Sequence, residues 1–381
     1  MKHYDYIISG AGAAGLSLLM RLMQHKAFSQ KKILVADKAP KDQNDRTWCF
    51  WEIQPGIFEP VVHHKWQQLH FFSIQFSSLL NLSPYQYKMI RAIDFYNYVL
   101  EEAQKHPNIV FEYGNVDAVG NQGDKALVII NGTGYTADYV FNSIIFAQPA
   151  VPENKIWLLQ HFKGYVIETA QPVFNPAEAT LMDFRVSQQY GTTFVYVLPL
   201  SANRALVEYT LFTSKLLDKK EYDDALHHYI GTYLNIHNYT VAEQEFGIIP
   251  MTNMKFLKRI GKVINIGTAG GQTKASSGFT FQFIQKQTQQ LVFDLLQYGH
   301  PREHEPLMEK RFKFYDTTLL NILHTNKLPG DKIFADLFQK NPTDRVLRFL
   351  DNESTFEDEI NLMATLPQGI FIKAAMQEIF K

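Results

Sequence analysis

A short apolar run, Tyr4 to Ser9 (YDYIIS), passes directly into Gly10-Ala11-Gly12-Ala13-Ala14-Gly15. A stretch with helical spacing follows (LSLLMRLMQHK), then a second apolar run ending in an acid, Lys32 to Asp37 (KILVAD). This order of strand, glycine turn, helix and strand is a βαβ unit with GxGxxG at its first turn and an acid 22 residues beyond Gly15. Each part has a physical reason. Gly10 permits the tight turn, Gly12 lets backbone approach a pyrophosphate, Gly15 lets helix and strand pack closely, and the helix N-terminus offers amide donors and the positive end of its dipole. Asp37 suits ribose hydroxyls, and its charge opposes a 2′-phosphate at that position. Glycine-rich turns are common, but here every flanking element falls where a dinucleotide fold needs it, so a dinucleotide site is the expectation.

The rest of the chain reads as an interruption of that fold. After Pro40 the pattern loosens through NDRTWCFWEI (Asn44 to Ile53), which crowds two of the four tryptophans, the single cysteine and several charges together. Trp66 to Phe76 and Tyr85 to Ile90 read as extended, and Ala92 to Lys105 as helix with Asp94 near its start. Residues 109–146 alternate strand and turn around Asn131-Gly132, a β-meander returning to the sheet. Residues 160–212 hold four strand-like runs, expected to form an antiparallel sheet. Lys262 to Gly267 (KVINIG) is a buried-type strand, followed by a glycine loop and a helix from about Thr280 to Tyr298. Such a late strand, loop and helix completes a nucleotide fold split by an insertion, the organisation expected of large FAD proteins. The predicted class is therefore α/β, an FAD-binding Rossmann-like fold with an inserted antiparallel β-sheet substrate lobe and a helical C-terminal region. The FAD-binding domain is assigned to residues 1–65, 105–150 and 255–300, the substrate lobe to 66–104 and 151–254, and the helical cap to 301–381.

Charge and composition exclude several classes. A net charge of -1 argues against nucleic-acid binding. One cysteine excludes an internal disulfide and a thiolate zinc site, and the thirteen histidines form no HExxH or comparable spacing, so no metal is expected. No secretory signal is indicated, and a reducing cytoplasm is expected. Apolar runs are too short to span a bilayer, yet aromatic residues reach 14%, which suits a hydrophobic ligand, a membrane-touching face or simply a bulky core.

Several segments agree with one family. GAGAAG with Asp37, the Asp45-Arg46-Thr47-Trp48 stretch, Met182-Asp183-Phe184-Arg185, Leu206-Val207-Glu208-Tyr209-Thr210 and the late IGTAGGQTKASSGFTF occur in family order, and the chain resembles the FAD-dependent lycopene cyclases from end to end. Two departures stand out. Plant members carry a paired-acid FLEET segment where this chain has Glu208 followed by Tyr209, and many related flavoproteins have an aspartate where this chain has Thr268.

The resemblance implies a non-redox ring closure at the acyclic ψ ends of lycopene. An acid protonates C2, the C5=C6 bond attacks the tertiary cation, and loss of a proton from C6 gives a β ring, or from C4 an ε ring. A carbocation needs a dry, aromatic site. The resemblance further implies reduced FAD, either as an anionic neighbour to the cation or as part of the proton path, with NADPH as its reductant; the solubility of the substrate and the aromatic content lead to the expectation of peripheral association with the inner membrane. Glu208 is the expected general acid/base, in an apolar strand where burial would raise its pKa; an outward-facing glutamate or a partner for Arg204 is the alternative. Asp183 and Arg185 are expected as a buried pair that positions Glu208 or the flavin, or as a purely structural one. Arg46 and Arg91 are candidates for the flavin, with Gly267, Gly270 and Gly278 completing its site. Trp48 and Trp51 are expected on the hydrocarbon side. Two other readings remain at this point: an FAD-dependent hydroxylase or isoprenoid reductase of the same fold, and a nucleotide-binding protein without catalysis.

Overall fold

The computed structural model describes residues 1–147, 150–304 and 306–379; residues 148–149, 305 and 380–381 of the expected domain spans lie outside the described residues. Two large sheets organise the chain. The first is built on a parallel core in the order Val263–Asn265, Thr133–Asn142, Lys2–Ser9, Ile33–Asp37 and Ile109–Tyr113. Antiparallel strands Val116–Gln122 and Lys125–Ile130 extend from it as the expected meander. Its strands read as near-continuous apolar runs because both faces are covered: Ile33 to Asp37 is buried throughout.

Helix α1 (Ala13–Met23) and helix α2 (Ala92–Ala103) pack against this sheet. Helix α2 buries Ala92, Phe95, Tyr96, Val99 and Ala103, one stripe at helical spacing. Residues 66–104 are therefore divided: α2 joins the nucleotide-fold core, while Gln68–Phe72 and Ser77–Asn81 join the second large sheet. The expected strand Trp66 to Phe76 is also broken, since His64–Trp66 belongs to a small three-stranded sheet with Thr47–Glu52 and Gln86–Arg91.

The second sheet runs Thr240–Thr252, Trp157–Glu168, Arg204–Thr213, Thr192–Ser201, Glu178–Asp183, Gln68–Phe72 and Ser77–Asn81. It is antiparallel except where Glu178–Asp183 lies parallel to Gln68–Phe72. Helix α3 (Lys219–Thr232), opened by a capping box between Asp218 and Glu221, covers one face through Tyr222, Leu226, Tyr229 and Ile230. The other face shares a core with the small sheet and the C-terminal helices. Helix α4 (Phe281–Tyr298) returns the chain to the nucleotide fold and packs on α1, where Arg21 donates to Thr288 and Gln285. Helices α5 (Leu307–His324), α6 (Gly330–Lys340), α7 (Thr343–Leu350), α8 (Phe356–Ala364) and α9 (Gln368–Ile379) follow.

The loop between Gly270 and Thr280 is tied to these helices. Lys274, fully buried, donates to Asp316 at 2.8 Å and to Asn352 at 2.7 Å, and Ser276 donates to Asp316 at 2.7 Å. A buried lysine survives only with such partners, so the polar text TKASSG works as a link between nucleotide fold and helical cap.

Candidate active site

The glycine turn has the geometry its spacing predicts. Gly10 adopts φ +97°, and a Cβ there would meet Ser143 Oγ at 2.2 Å. A Cβ on Gly15 would meet the Gly10 carbonyl oxygen at 1.9 Å, whereas one on Gly12 meets nothing within 4 Å. Two glycines are thus required by the protein's own packing and the middle one faces open space, as a site for close backbone approach by a ligand needs. Helix α1 starts at Gly12 with no side-chain cap and no acid in its first turn, leaving its amide donors to an anion. Asp37 accepts the Ala11 amide at 2.7 Å and pairs with Lys41 at 3.2 Å.

The late loop meets this turn from the other side. Gly267 (φ +60°) lies where a Cβ would come within 2.7 Å of the Ala14 Cβ, and Gly270 where one would meet the Asn265 carbonyl. Gly278 sits against Gln160, with a virtual Cβ 1.9 Å from Gln160 Oε1, so it marks the join between the nucleotide fold and the second sheet. Thr268 shares a hydrogen bond with Thr273.

In the second sheet, Glu208 lies directly opposite Gly164, and Glu245 lies opposite the same glycine from the strand beyond. The missing side chain at Gly164 opens a gap through which the two carboxyl groups hydrogen-bond; a Cβ there would come within 3.0 Å of Glu245 Cγ. Thr210 donates to Glu208 Oε1 at 3.0 Å, and Thr47 donates to Glu245 Oε2 at 2.9 Å. Burial first, and then the neighbouring Glu245 charge and hydrogen bond, push the Glu208 carboxyl well above the usual carboxylate range. Burial also raises Glu245, opposed by the hydrogen bonds from Glu208 and Thr47 and by the Arg46 charge. Glu208 is thus the more strongly raised of the pair, while the donors around Glu245 favour its charged form.

Around Glu208 stand Cys49, Tyr87 and Tyr196, all held neutral chiefly by burial and then by nearby negative charge, while the Tyr87–Cys49 hydrogen bond raises Tyr87 and lowers Cys49. Trp51 stacks near Tyr87, with ring centroids 6.5 Å apart, and meets Phe279 edge-on at 4.6 Å. This is an aromatic wall on the Glu208 side of the sheet.

The remaining expected residues separate. Asp183 and Arg185 do form a two-point pair, at 2.9 Å and 2.5 Å, but Asp183 is opposite Val195 and takes the Tyr229 hydroxyl of α3 at 2.7 Å. Val195 is paired with Tyr209, and Glu208 with Tyr196, so Asp183 and Glu208 occupy opposite faces of the sheet. The expectation that Asp183 and Arg185 position Glu208 is corrected: the pair anchors α3. Arg46 is exposed, donating to the Asp45 and Phe246 carbonyls beside Glu245. Arg91 is held by Asp94 at 2.7 Å and 2.8 Å and lines a cleft of about 260 Å³ with Thr47, His63, Arg204 and Glu243. Trp48 and Trp51 diverge by strand alternation, Trp48 packing with Phe95 and Phe281 in the nucleotide-fold core and Trp51 facing Tyr87. Only Trp51 of the two is therefore on the side expected for hydrocarbon.

Sequence reading missed Glu245, Gly164 and the role of Thr47. Glu245 sits in TVAEQEFGIIPMT two residues after a second acid, Glu243, on the same side of the strand, and no local pattern distinguishes the two. Among the described residues, no cluster of histidine, cysteine or acid side chains could hold a metal, and no helix is long and apolar enough to cross a membrane.

A lycopene β-cyclase of Pantoea ananas is 29% identical over 218 residues, 55% of this chain and 52% of that protein, so the match spans about half of its length. The fold is similar to that of a geranylgeranyl bacteriochlorophyll reductase-like protein from Thermoplasma acidophilum (TM-score 0.65, 12% identity, 98% of both chains). It is equally similar to a flavoprotein/dehydrogenase from Cytophaga hutchinsonii (TM-score 0.65, 12% identity, 99% of this chain and 100% of that one). The architecture is thus the flavoprotein monooxygenase-like α/β fold. The family described as lycopene cyclase protein matches residues 5–376, nearly the whole length, and the chain belongs to that family.

Proposed function

We propose that the protein is a lycopene β-cyclase, converting acyclic ψ ends to β rings without net redox change, by way of γ-carotene to β-carotene. The observation that carries the reading is Glu208, a carboxyl kept protonated by burial and by Glu245, on a sheet face walled by Trp51, Tyr87 and Tyr196. An acid that keeps its proton near neutral pH can deliver it to an alkene, and neutral aromatic rings can face the cation without quenching it. Glu208 gives its proton to C2, the aromatic wall excludes water while C1 and C6 join, and loss of the C6 proton gives the β ring.

Gly10, Gly12, Gly15 and Asp37 fit FAD: the open space at Gly12 and the uncapped start of α1 suit a pyrophosphate, and Asp37 suits a ribose. Gly267 and Gly270 close the same region, Gly278 joins it to the second sheet, and NADPH is the reductant that keeps the flavin reduced. When bound, reduced FAD supplies an electron-rich, anionic neighbour to positive charge. Of the two arginines, Arg46 lies nearer this function, through its charge on Glu245.

Lycopene dissolves in lipid, and the C-terminal helices offer a surface for it. Phe356 and Ile360 on α8, and Ile372 and Met376 on α9, are exposed at i, i+4 spacing. Ile360 and Ile372 both line an apolar cavity of about 420 Å³. Peripheral attachment to the cytoplasmic face of the inner membrane through this patch follows.

Expression in a lycopene-accumulating bacterium tests the activity. Cyclic carotenes are expected, and Glu208→Gln should leave lycopene unchanged while still retaining FAD. Unaltered lycopene with flavin-loaded wild-type protein and a reductant would sink the reading, and steady NADPH consumption with oxygen would replace it with a hydroxylase.

A further inference from the structure

Ring closure without redox change takes one proton in and lets one proton out. The acid accounts for the first half, and the groups beside it bear on the second. Glu208 and Glu245 stand on strands separated by a third, so their backbones are about 10 Å apart across two strand spacings. Two glutamates bridge that distance only because residue 164 between them is glycine.

We propose that Glu245 is the catalytic base of the cyclisation, taking the C6 proton and returning it to Glu208 through the hydrogen bond that passes over Gly164. The proposal rests on the lycopene cyclase reading and deepens it. C2 and C6 are both bonded to C1 once the ring closes, so the carbon that gains a proton and the carbon that loses one are a single bond angle apart. A hydrogen-bonded acid and carboxylate present donor and acceptor oxygens at a matching spacing.

The balance is complete. The Glu208 O–H bond breaks and the C1=C2 pair makes the new C2–H bond, leaving the cation at C1; the C5=C6 pair makes the C1–C6 bond, moving the cation to C5; the C6–H pair becomes the new C5=C6 bond as Glu245 takes the proton. Transfer from Glu245 to the Glu208 carboxylate resets the pair, with no proton exchanged with solvent and no oxidant needed.

The surroundings suit this division. Thr47 donates to Glu245 and Arg46 lies near it, favouring its ionised form, while Glu243 opposes that charge. Facing Glu208 are Thr210, Cys49, Tyr87 and Tyr196, none of them cationic, so nothing but Glu245 competes for its proton. The family's second acid, absent at Tyr209, would in any case point to the opposite face, because Tyr209 is paired with Val195. Glu245 instead supplies a second carboxylate on the Glu208 face, from another strand.

Two measurements on the flavin-loaded protein test this. The first needs no substrate: the infrared carbonyl band of a buried carboxylic acid, followed against pH, should vanish in Glu208→Gln and titrate at lower pH in Glu245→Gln, because removing the Glu245 charge lets Glu208 ionise sooner. A band in Glu245→Gln that titrates as in the wild type overturns proton sharing. The second is turnover of lycopene: Glu245→Gln should lose about 100-fold or more in kcat with KM and flavin content unchanged, and Glu245→Asp should recover part of it. Gly164→Val keeps both acids but separates them, and should show the same loss. Wild-type turnover in Glu245→Gln, or in Gly164→Val, overturns the base. If the band behaves as expected but the wild-type protein cyclises nothing, the cyclase reading and the base assignment fall together while the shared proton stands.

Discussion

Thr47 donates its hydroxyl to Glu245 Oε2 at 2.9 Å, joining the tryptophan-rich strand of the small sheet to the carboxylate pair of the large one. The aromatic and charged stretch that begins at Asn44 is thereby placed: Trp48 and Phe50 enter the nucleotide-fold core, and Thr47, Cys49 and Trp51 face the acids.

Loss of that hydroxyl should therefore be felt at the pair. A hydrogen bond to a buried carboxylate contributes about 1.5 kcal/mol or more, so Thr47→Val should raise the Glu245 pKa and slow cyclisation about tenfold. Because Glu245 must be ionised, the acid limb of the rate profile should move to higher pH. An unmoved profile would show that Thr47 only packs.

Gly12 and Gly15 separate ligand binding from folding. Gly12→Ala places its methyl in open space, so the flavin-free protein should keep its unfolding midpoint while FAD affinity falls at least about tenfold. Gly15→Ala drives a methyl into the Gly10 carbonyl, and should cost about 2 kcal/mol or more of stability before any ligand is added. Urea titrations with and without FAD would distinguish the two.

Asp183 belongs to the fold. Asp183→Ala leaves Arg185 and the buried Tyr229 hydroxyl without their acceptor, and should destabilise the protein by about 3 kcal/mol. Turnover per folded molecule should stay within about twofold, since the side chain is on the face away from Glu208. A large fall in kcat with normal stability would return Asp183 to the active site.

Acid sensitivity should trace in part to His161. Its ring is fully buried, accepting the Tyr222 hydroxyl at Nδ1 (2.6 Å) and contacting Thr213 through Nε2 (2.7 Å), and burial pushes its pKa down to about 4. A depressed histidine holds its contribution above the unfolded pKa of about 6.5 and loses it as pH falls towards the folded value, about 3 kcal/mol in all. His161→Gln should flatten the fall in urea midpoint across that window, and an equally steep fall would exclude His161 as its source.

Attachment to membranes should depend on α8 and α9. Ile372→Asp with Met376→Asp places two charges on the exposed apolar face of α9 and should abolish sedimentation with liposomes while leaving the flavin spectrum unchanged. Binding that survives both substitutions would move the contact elsewhere.

Much of the nucleotide fold was legible because its signals are local. Gly10 and Gly15 are needed by one turn that leaves Gly12 facing open space, Asp37 closes the next strand, and Ala92 to Ala103 carries its own helical stripe. The helix beginning near Thr280 was equally legible, and the structure starts it at Phe281. The break in Trp66 to Phe76 was not, since a run of strand-forming residues does not say that Gln67 passes the chain from one sheet to another.

The carboxylate site shows the same division. Alternation in LVEYT groups Glu208 with Leu206 and Thr210, and the sequence by itself determined that much, together with a dinucleotide turn ending in Asp37. Tertiary structure alone decided which face Glu208 takes. Helix α3 covers the side of Val207 and Tyr209, which leaves Glu208 to the aromatic side. The order of three strands then sets Glu245 across a glycine from Glu208, although Gly164 precedes Glu208 by 44 residues and Glu245 follows it by 37. Strand order and register come from burial summed over whole sheets, and no short stretch of sequence contains that sum.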